Sequence, residues 1–101
     1  MIIYNVTVSV AAEIENEWLN WMKNVHIPDV LATGCFDSHS LLKLEEGNQG
    51  PDPTFAIQYR CPDLSTLEEY REKFADKLQR EHTAMFEGKY AAFRTVLRDI
   101  S

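Results

Sequence analysis

The side chains in this sequence best suited to moving protons or holding an anion are His26, His39 and His82, together with Tyr59, Arg60 and Arg94. An imidazole changes charge near neutral pH, which makes it the natural general acid or base. His26 stands in "NVHIPDVLATGCF", behind an apolar helical pattern and just ahead of Pro28. A histidine in the last turn of a helix is favoured by the negative helix end even when it does nothing else, so a structural and a ligand-contacting role both stay open. His82 follows Leu78 and Phe74 at helical spacing, on the stripe that should face a sheet. A histidine there is either a core residue bonded to a neighbour or a group facing a ligand. His26 and His82 are therefore the candidate catalytic residues. His39, Tyr59, Arg60 and Arg94 are the candidate ligand-binding residues, the arginines because a guanidinium pairs bidentately with a carboxylate.

Other chemistry is less well served. His26, His39, His82, Cys35 and Cys61 are dispersed along the chain with no HxxxH, HExxH or CxxC spacing, so no metal is expected, and no other cofactor is indicated. The two cysteines are too few and too isolated for a disulfide framework and read as reduced thiols. Lys+Arg 10 against Asp+Glu 16 gives a net charge of -6, which would repel phosphate backbones, so nucleic acid is not an expected partner. No basic segment or long apolar run precedes the first strand pattern at Ile2, so neither a signal peptide nor a membrane span is expected, and the protein should be soluble and cytoplasmic.

These side chains must be positioned by a single domain, residues 1–101, whose 45% hydrophobic content suits a modest core. In "IIYNVTVSV" apolar and polar residues alternate with the period of a half-buried strand. From Ala12 to about Val25, Ile14, Trp18, Trp21, Met22 and Val25 recur at helical spacing. The two indoles read as core, although indoles also line apolar pockets. A residue before proline is pushed away from helical geometry, so this helix should stop near His26 or Ile27, with a short second turn opened by Pro28 and ended by Gly34. "CFDSHSLLKL" and "TFAIQYRC" read as strands joined by the hairpin connection "EEGNQGPDP". "STLEEY" opens a second helix with a capping box of Ser65 and Glu68, and Leu67, Tyr70, Phe74, Leu78, His82 and Met85 make its buried stripe. "KYAAFRTVLRDI" supplies a fourth strand.

The order βαββαβ predicts a ferredoxin-like α+β fold: a four-stranded antiparallel sheet, order 4-1-3-2, with both helices on one face. In this setting "HIPDVLATGCF" and "REHTAMFEGKYAAFRTVL" resemble a family of short bacterial proteins, a domain of unknown function with a dimeric ferredoxin-like fold, near the dimeric α+β barrel superfamily. That superfamily includes cofactor-free antibiotic-biosynthesis monooxygenases, muconolactone isomerase-like proteins and haem-degrading monooxygenases. The resemblance implies architecture and a homodimer, and carries no catalytic residue across.

Two placements follow. The helices run antiparallel, so histidines at their C-terminal ends should lie at opposite ends of the sheet, roughly 20 Å apart, and a His26–His82 dyad within one subunit is not expected. If Tyr4, Val6, Val8, Phe55, Ile57, Phe93 and Leu97 face the helices, alternation sends Asn5, Thr7, Ser9, Asp37, His39, Lys43, Gln58, Arg60, Arg94 and Arg98 to the open face. That face would be solvated, or would enclose a polar cavity in which Arg60 and Arg94 hold one anion. The functional expectation is a small-molecule-binding protein, either a cofactor-free isomerase or monooxygenase-like enzyme acting on a small anionic or aromatic compound, or a non-catalytic ligand-binding or assembly module.

Overall fold

The structure, a computed structural model, describes residues 1–47 and 50–101. Strands β1 (Ile2–Val10), β2 (Ser38–Lys43), β3 (Thr54–Cys61) and β4 (Tyr90–Arg98) alternate with two long helices, α1 over residues 15–32 and α2 over residues 64–86. The sheet order is β2-β3-β1-β4, which is the expected 4-1-3-2 read from the other edge, and all its pairings are antiparallel. Ile2, Tyr4, Val8 and Val10 of β1 and Phe55, Ile57, Tyr59 and Cys61 of β3 are buried against the helices, as period-two alternation requires of central strands with one covered face. Within the connection over residues 45–53, Asn48 and Gln49 lie outside the described residues.

Helix α1 does not stop at His26. It passes through a π-helical turn at Met22–His26 and continues as Ile27–Ala32, with Pro28 in the first turn of that last segment. Proline lacks an N–H and its ring crowds the carbonyl one turn back. A locally widened turn accommodates both without ending the helix. The real stop is Gly34, at φ 78°, with Gly34 N–H bonded to Leu31 O at 3.1 Å and the Thr33 hydroxyl donating to Val30 O at 2.7 Å.

Helix α2 carries a second π-helical turn, Arg71–Ala75. Its N-terminus is capped by Asp63 rather than by Ser65. The Asp63 carboxylate accepts from the backbone N–H of Thr66 at 2.8 Å and from the hydroxyls of Thr66 and Ser65 at 2.7 and 2.9 Å. A charged acceptor outcompetes a hydroxyl for the free N–H groups, and the same three donors hold the Asp63 carboxyl below its ordinary range.

Each widened turn inserts one residue, and in α1 this rotates the buried stripe beyond it. In α1 the expected stripe member Val25 is 42% exposed, and Ile27 and Val30 are buried instead. In α2 Met85 is 50% exposed and Phe86 takes its place in the core. The α1 departure is a shift of phase, about 100° for each residue around a helix, whereas in α2 Leu78 and His82 stay buried as expected and only the last member of the stripe moves.

Candidate functional site

The phase shift in α1 is what turns His26 inward. His26 is half-buried and lines a small enclosed space between the helices and the sheet, which His82 of α2 also lines. Their ring centroids lie 5.4 Å apart. The expected separation of roughly 20 Å is overturned because neither histidine is at a helix end. With α1 running on to Ala32 and α2 to Phe86, both residues sit inside their helices, where the antiparallel pair pass each other.

Aromatic rings hold the pair. The Trp21 ring stacks on His26 at 5.1 Å and on His82 at 5.5 Å, and Tyr90 of β4 stacks on His82 at 4.1 Å. Trp18, fully buried, donates its indole N–H to Nε2 of His82 at 2.9 Å. An indole N–H can only donate, so Nε2 is the unprotonated nitrogen and the neutral ring carries its proton on Nδ1.

The electrostatics keep both rings neutral at pH 7. Burial lowers the His26 pKa to about 4, with Asp29 opposing that shift and Arg94 adding to it. Burial likewise lowers His82 to about 4, helped by His26 and by Arg94. Burial also pushes the Tyr59 and Tyr70 hydroxyls well above the ordinary phenol range. They line the same space as neutral donors, with Tyr4 and Gln79 beside them.

Arg94 completes the site, from the face opposite to the one expected. Antiparallel partners share a face, and β1 pairs Val6 with Arg94, Val8 with Ala92 and Thr7 with Phe93. Arg94 and Arg98 therefore lie on the helix side, while Phe93 and Leu97 are on the open face and 61% and 43% exposed. Bulk pointed to the other phase, yet β4 is an edge strand whose residues stay largely exposed on both faces, so hydrophobicity does not set its register. Arg94 is exposed and still lines the cavity, which places it where the cavity meets solvent. Among the described residues no carboxylate forms an ion pair with it.

The remaining candidates separate. Arg60 stays on the open face and donates to the hydroxyl of Ser40 at 3.2 Å, so it cannot converge with Arg94 on one anion. His39 and Lys43 pair with Tyr59 and Phe55 and so belong to the helix side of β2, not the open face. Lys43 reaches Glu15 at 2.8 Å, and His39 is exposed on that edge strand. Tyr59 is in the cavity wall. Sequence reasoning missed Trp18 as the partner of His82 and Tyr90 as its stacking surface. Trp18 was legible as a buried indole needing an acceptor, whereas Tyr90 depended on the unread phase of β4. Cys35 and Cys61 are free and buried. Among the described residues no group of three or more His, Cys, Asp or Glu side chains is placed to hold a metal ion.

What this arrangement can do is defined by three parts. One imidazole has its tautomer set by an indole, a second is half-open to solvent, and a guanidinium with no carboxylate partner among the described residues stands beside both. The enclosed space is about 20 Å³, room for one water-sized group.

Solved structures share the architecture. A dimeric ferredoxin-like protein from an uncultured marine organism is 10% identical, with 100% of this chain and 96% of that one covered and a TM-score of 0.70. HapK from Hahella chejuensis is 8% identical, with coverage of 100% and 94% and a TM-score of 0.71. An antibiotic biosynthesis monooxygenase is 10% identical, covered in full on both sides, with a TM-score of 0.67. At such identities the likeness is one of fold. No curated protein matches the sequence. No helix among the described residues is long and apolar enough to cross a membrane. The family model for a domain of unknown function (DUF4286) matches residues 1–100, and the chain belongs to that family.

Proposed function

We propose that this protein binds a small organic anion at the Arg94–His26–His82 cavity and performs acid–base chemistry on it without a metal or bound cofactor. The observation that carries this reading is the meeting of two neutral imidazoles from different helices beside an arginine with no carboxylate partner among the described residues. In a protein of net charge -6, a lone guanidinium at a cavity mouth selects for negative charge. The anion's head would rest on Arg94, with one oxygen filling the water-sized space between the rings. His82, held with its proton on Nδ1, serves as a neutral hydrogen-bond donor, and His26, half-open to solvent, is the ring that exchanges the proton. An isomerase or monooxygenase-like activity fits this set, and a monooxygenase is among the proteins of like fold. The buried free thiols of Cys35 and Cys61 suit a reducing compartment such as the cytoplasm.

A thermal-shift comparison of matched carboxylic acids and amines tests the reading. Acids should raise the Tm of the wild-type protein and leave Arg94→Met unmoved, since losing a charge-assisted contact costs about 1.5–3 kcal/mol. Equal response to both classes, or none to either, would sink it.

The open sheet face supports a second component, assembly as a homodimer. It exposes Leu42, Phe93 and Leu97, and the buried Oδ1 of Asn5 has no donor among the described residues. A second copy laid on this face would cover the apolar side chains and offer that donor. Light scattering should give twice the 11.7 kDa chain mass, and Phe93→Glu should halve it. A wild-type monomer at micromolar concentration would remove the dimer from the proposal.

A further inference from the structure

We infer that the site couples anion binding to protonation: an anion seated on Arg94 arrives together with a proton taken from solvent, and that proton is loaded on His26 rather than on His82. This rests on the reading of the cavity given above and goes further by assigning unequal roles to the two rings.

Arg94 is the one cation lining the cavity among the described residues, and its charge is felt by His26, His82 and Tyr70 alike. While it is unpaired it opposes a second positive charge on either ring. An anion that pairs with it removes that opposition and adds a negative charge within a few ångströms. Such a charge raises the pKa of an imidazole by about 1–3 units. From a free value of about 4, His26 would then titrate in the range of about 5 to 7.

The asymmetry is geometric. Protonating His82 puts a hydrogen on Nε2, the atom that accepts the Trp18 indole N–H at 2.9 Å, so the added proton would set two donors against each other inside the core. No side-chain hydrogen bond among the described residues occupies the His26 ring. The other ionisable groups facing the pair agree with this choice. On α1, Asp29 pulls the His26 pKa upward. Glu81 of α2 joins Asp29 and His26 around a surface depression outside the cavity, which gives His26 a route to solvent. Tyr70 of α2, Tyr4 of β1 and Tyr59 of β3 contribute hydroxyls, and Tyr90 of β4 lies against His82. An anionic substrate would thereby arm its own general acid on binding, and the free site would hold none.

Calorimetric titration of the full chain with benzoate at about pH 5.5, where carboxylates remain ionised, tests this in two buffers of different ionisation enthalpy. The buffer difference gives the protons taken up per benzoate bound. Uptake of roughly 0.2 to 0.9 of a proton is expected in the wild type, with affinity rising by up to tenfold for each pH unit lowered across the window. Uptake should fall at least about fivefold in His26→Gln and persist in His82→Gln. As a reading that needs no variant, histidine ring carbon shifts should move to the protonated position for His26 on adding benzoate, and stay put for His82. Benzoate binding with no proton uptake, or uptake that survives His26→Gln, overturns the coupling while leaving the site in place. Failure of benzoate to bind, or binding that survives Arg94→Met, removes the site and the coupling together.

Discussion

On the covered face of the sheet Arg94 stands beside one buried and one half-buried imidazole, whereas on the open face Arg60 donates to the hydroxyl of Ser40. The residue type is the same and the strands are separated only by β1. The helices make the difference. They bring His26 and His82 to the cavity that one guanidinium lines, pack Trp18 and Trp21 against those rings, and exclude enough water to shift two pKa values, while the other guanidinium meets a hydroxyl and solvent. Strand residues alone do not shift a histidine's titration here. Burial supplied by the opposing layer does.

The largest expected asymmetry is in packing. Trp18→Ala removes a fully buried ring and the donor to His82, and should cost about 3–5 kcal/mol in urea denaturation. Phe93→Ala on the open face, measured where subunits are separate, should change stability by less than about 0.5 kcal/mol. Comparable costs would mean that the open face is packed within the subunit.

Next in size is acid sensitivity. Both rings have folded pKa values of about 4 against 6.5 when free, so the unfolded chain binds more protons between those values. Stability is therefore complete above pH 6.5, falls as pH drops through the window, and levels off below about 4. The loss is on the order of 3 kcal/mol for each ring. His26→Leu should flatten part of the curve, and an unchanged pH profile in that variant would detach the titration from the covered face.

A smaller effect separates chemistry from volume. His82→Leu leaves the Trp18 indole N–H buried without an acceptor and should cost about 1–3 kcal/mol, more than a volume-matched swap would suggest. His82→Gln, which offers a carbonyl, should recover much of that. Smallest of all, Arg60→Ala should stay within about 0.5 kcal/mol of the wild type, because its hydroxyl contact is replaceable by water.

The element order, the sheet order and the burial of His82 were legible because they follow from strong periodic patterns: alternation in β1 and β3, and the stripe from Leu67 to Leu78. What was not legible has two physical sources. Pro28 reads as a helix stop unless the turn before it can widen, and no composition marks that option, so the sequence pattern puts His26 at a helix end, away from His82. The phase of β4 is set by its pairing with β1 and not by its own apolar residues, so Phe93 and Arg94 exchanged faces. Both errors bear on the site, which is assembled by contacts between elements far apart in sequence.

The widened turn at Met22–His26 makes the length of α1 between Trp21 and Ile27 what decides which side chains beyond it face the core. Adding a single residue there, beyond the one the widened turn already takes up, would leave composition and propensities almost intact and yet turn everything beyond the insertion by about 100°. Ile27 and Val30 would leave the core and His26 would swing off its partner ring. Substitutions in this segment would be read by side chain, whereas a change of length would be read by the whole helix, so within this stretch the spacing of residues is itself the information that assembles the imidazole pair.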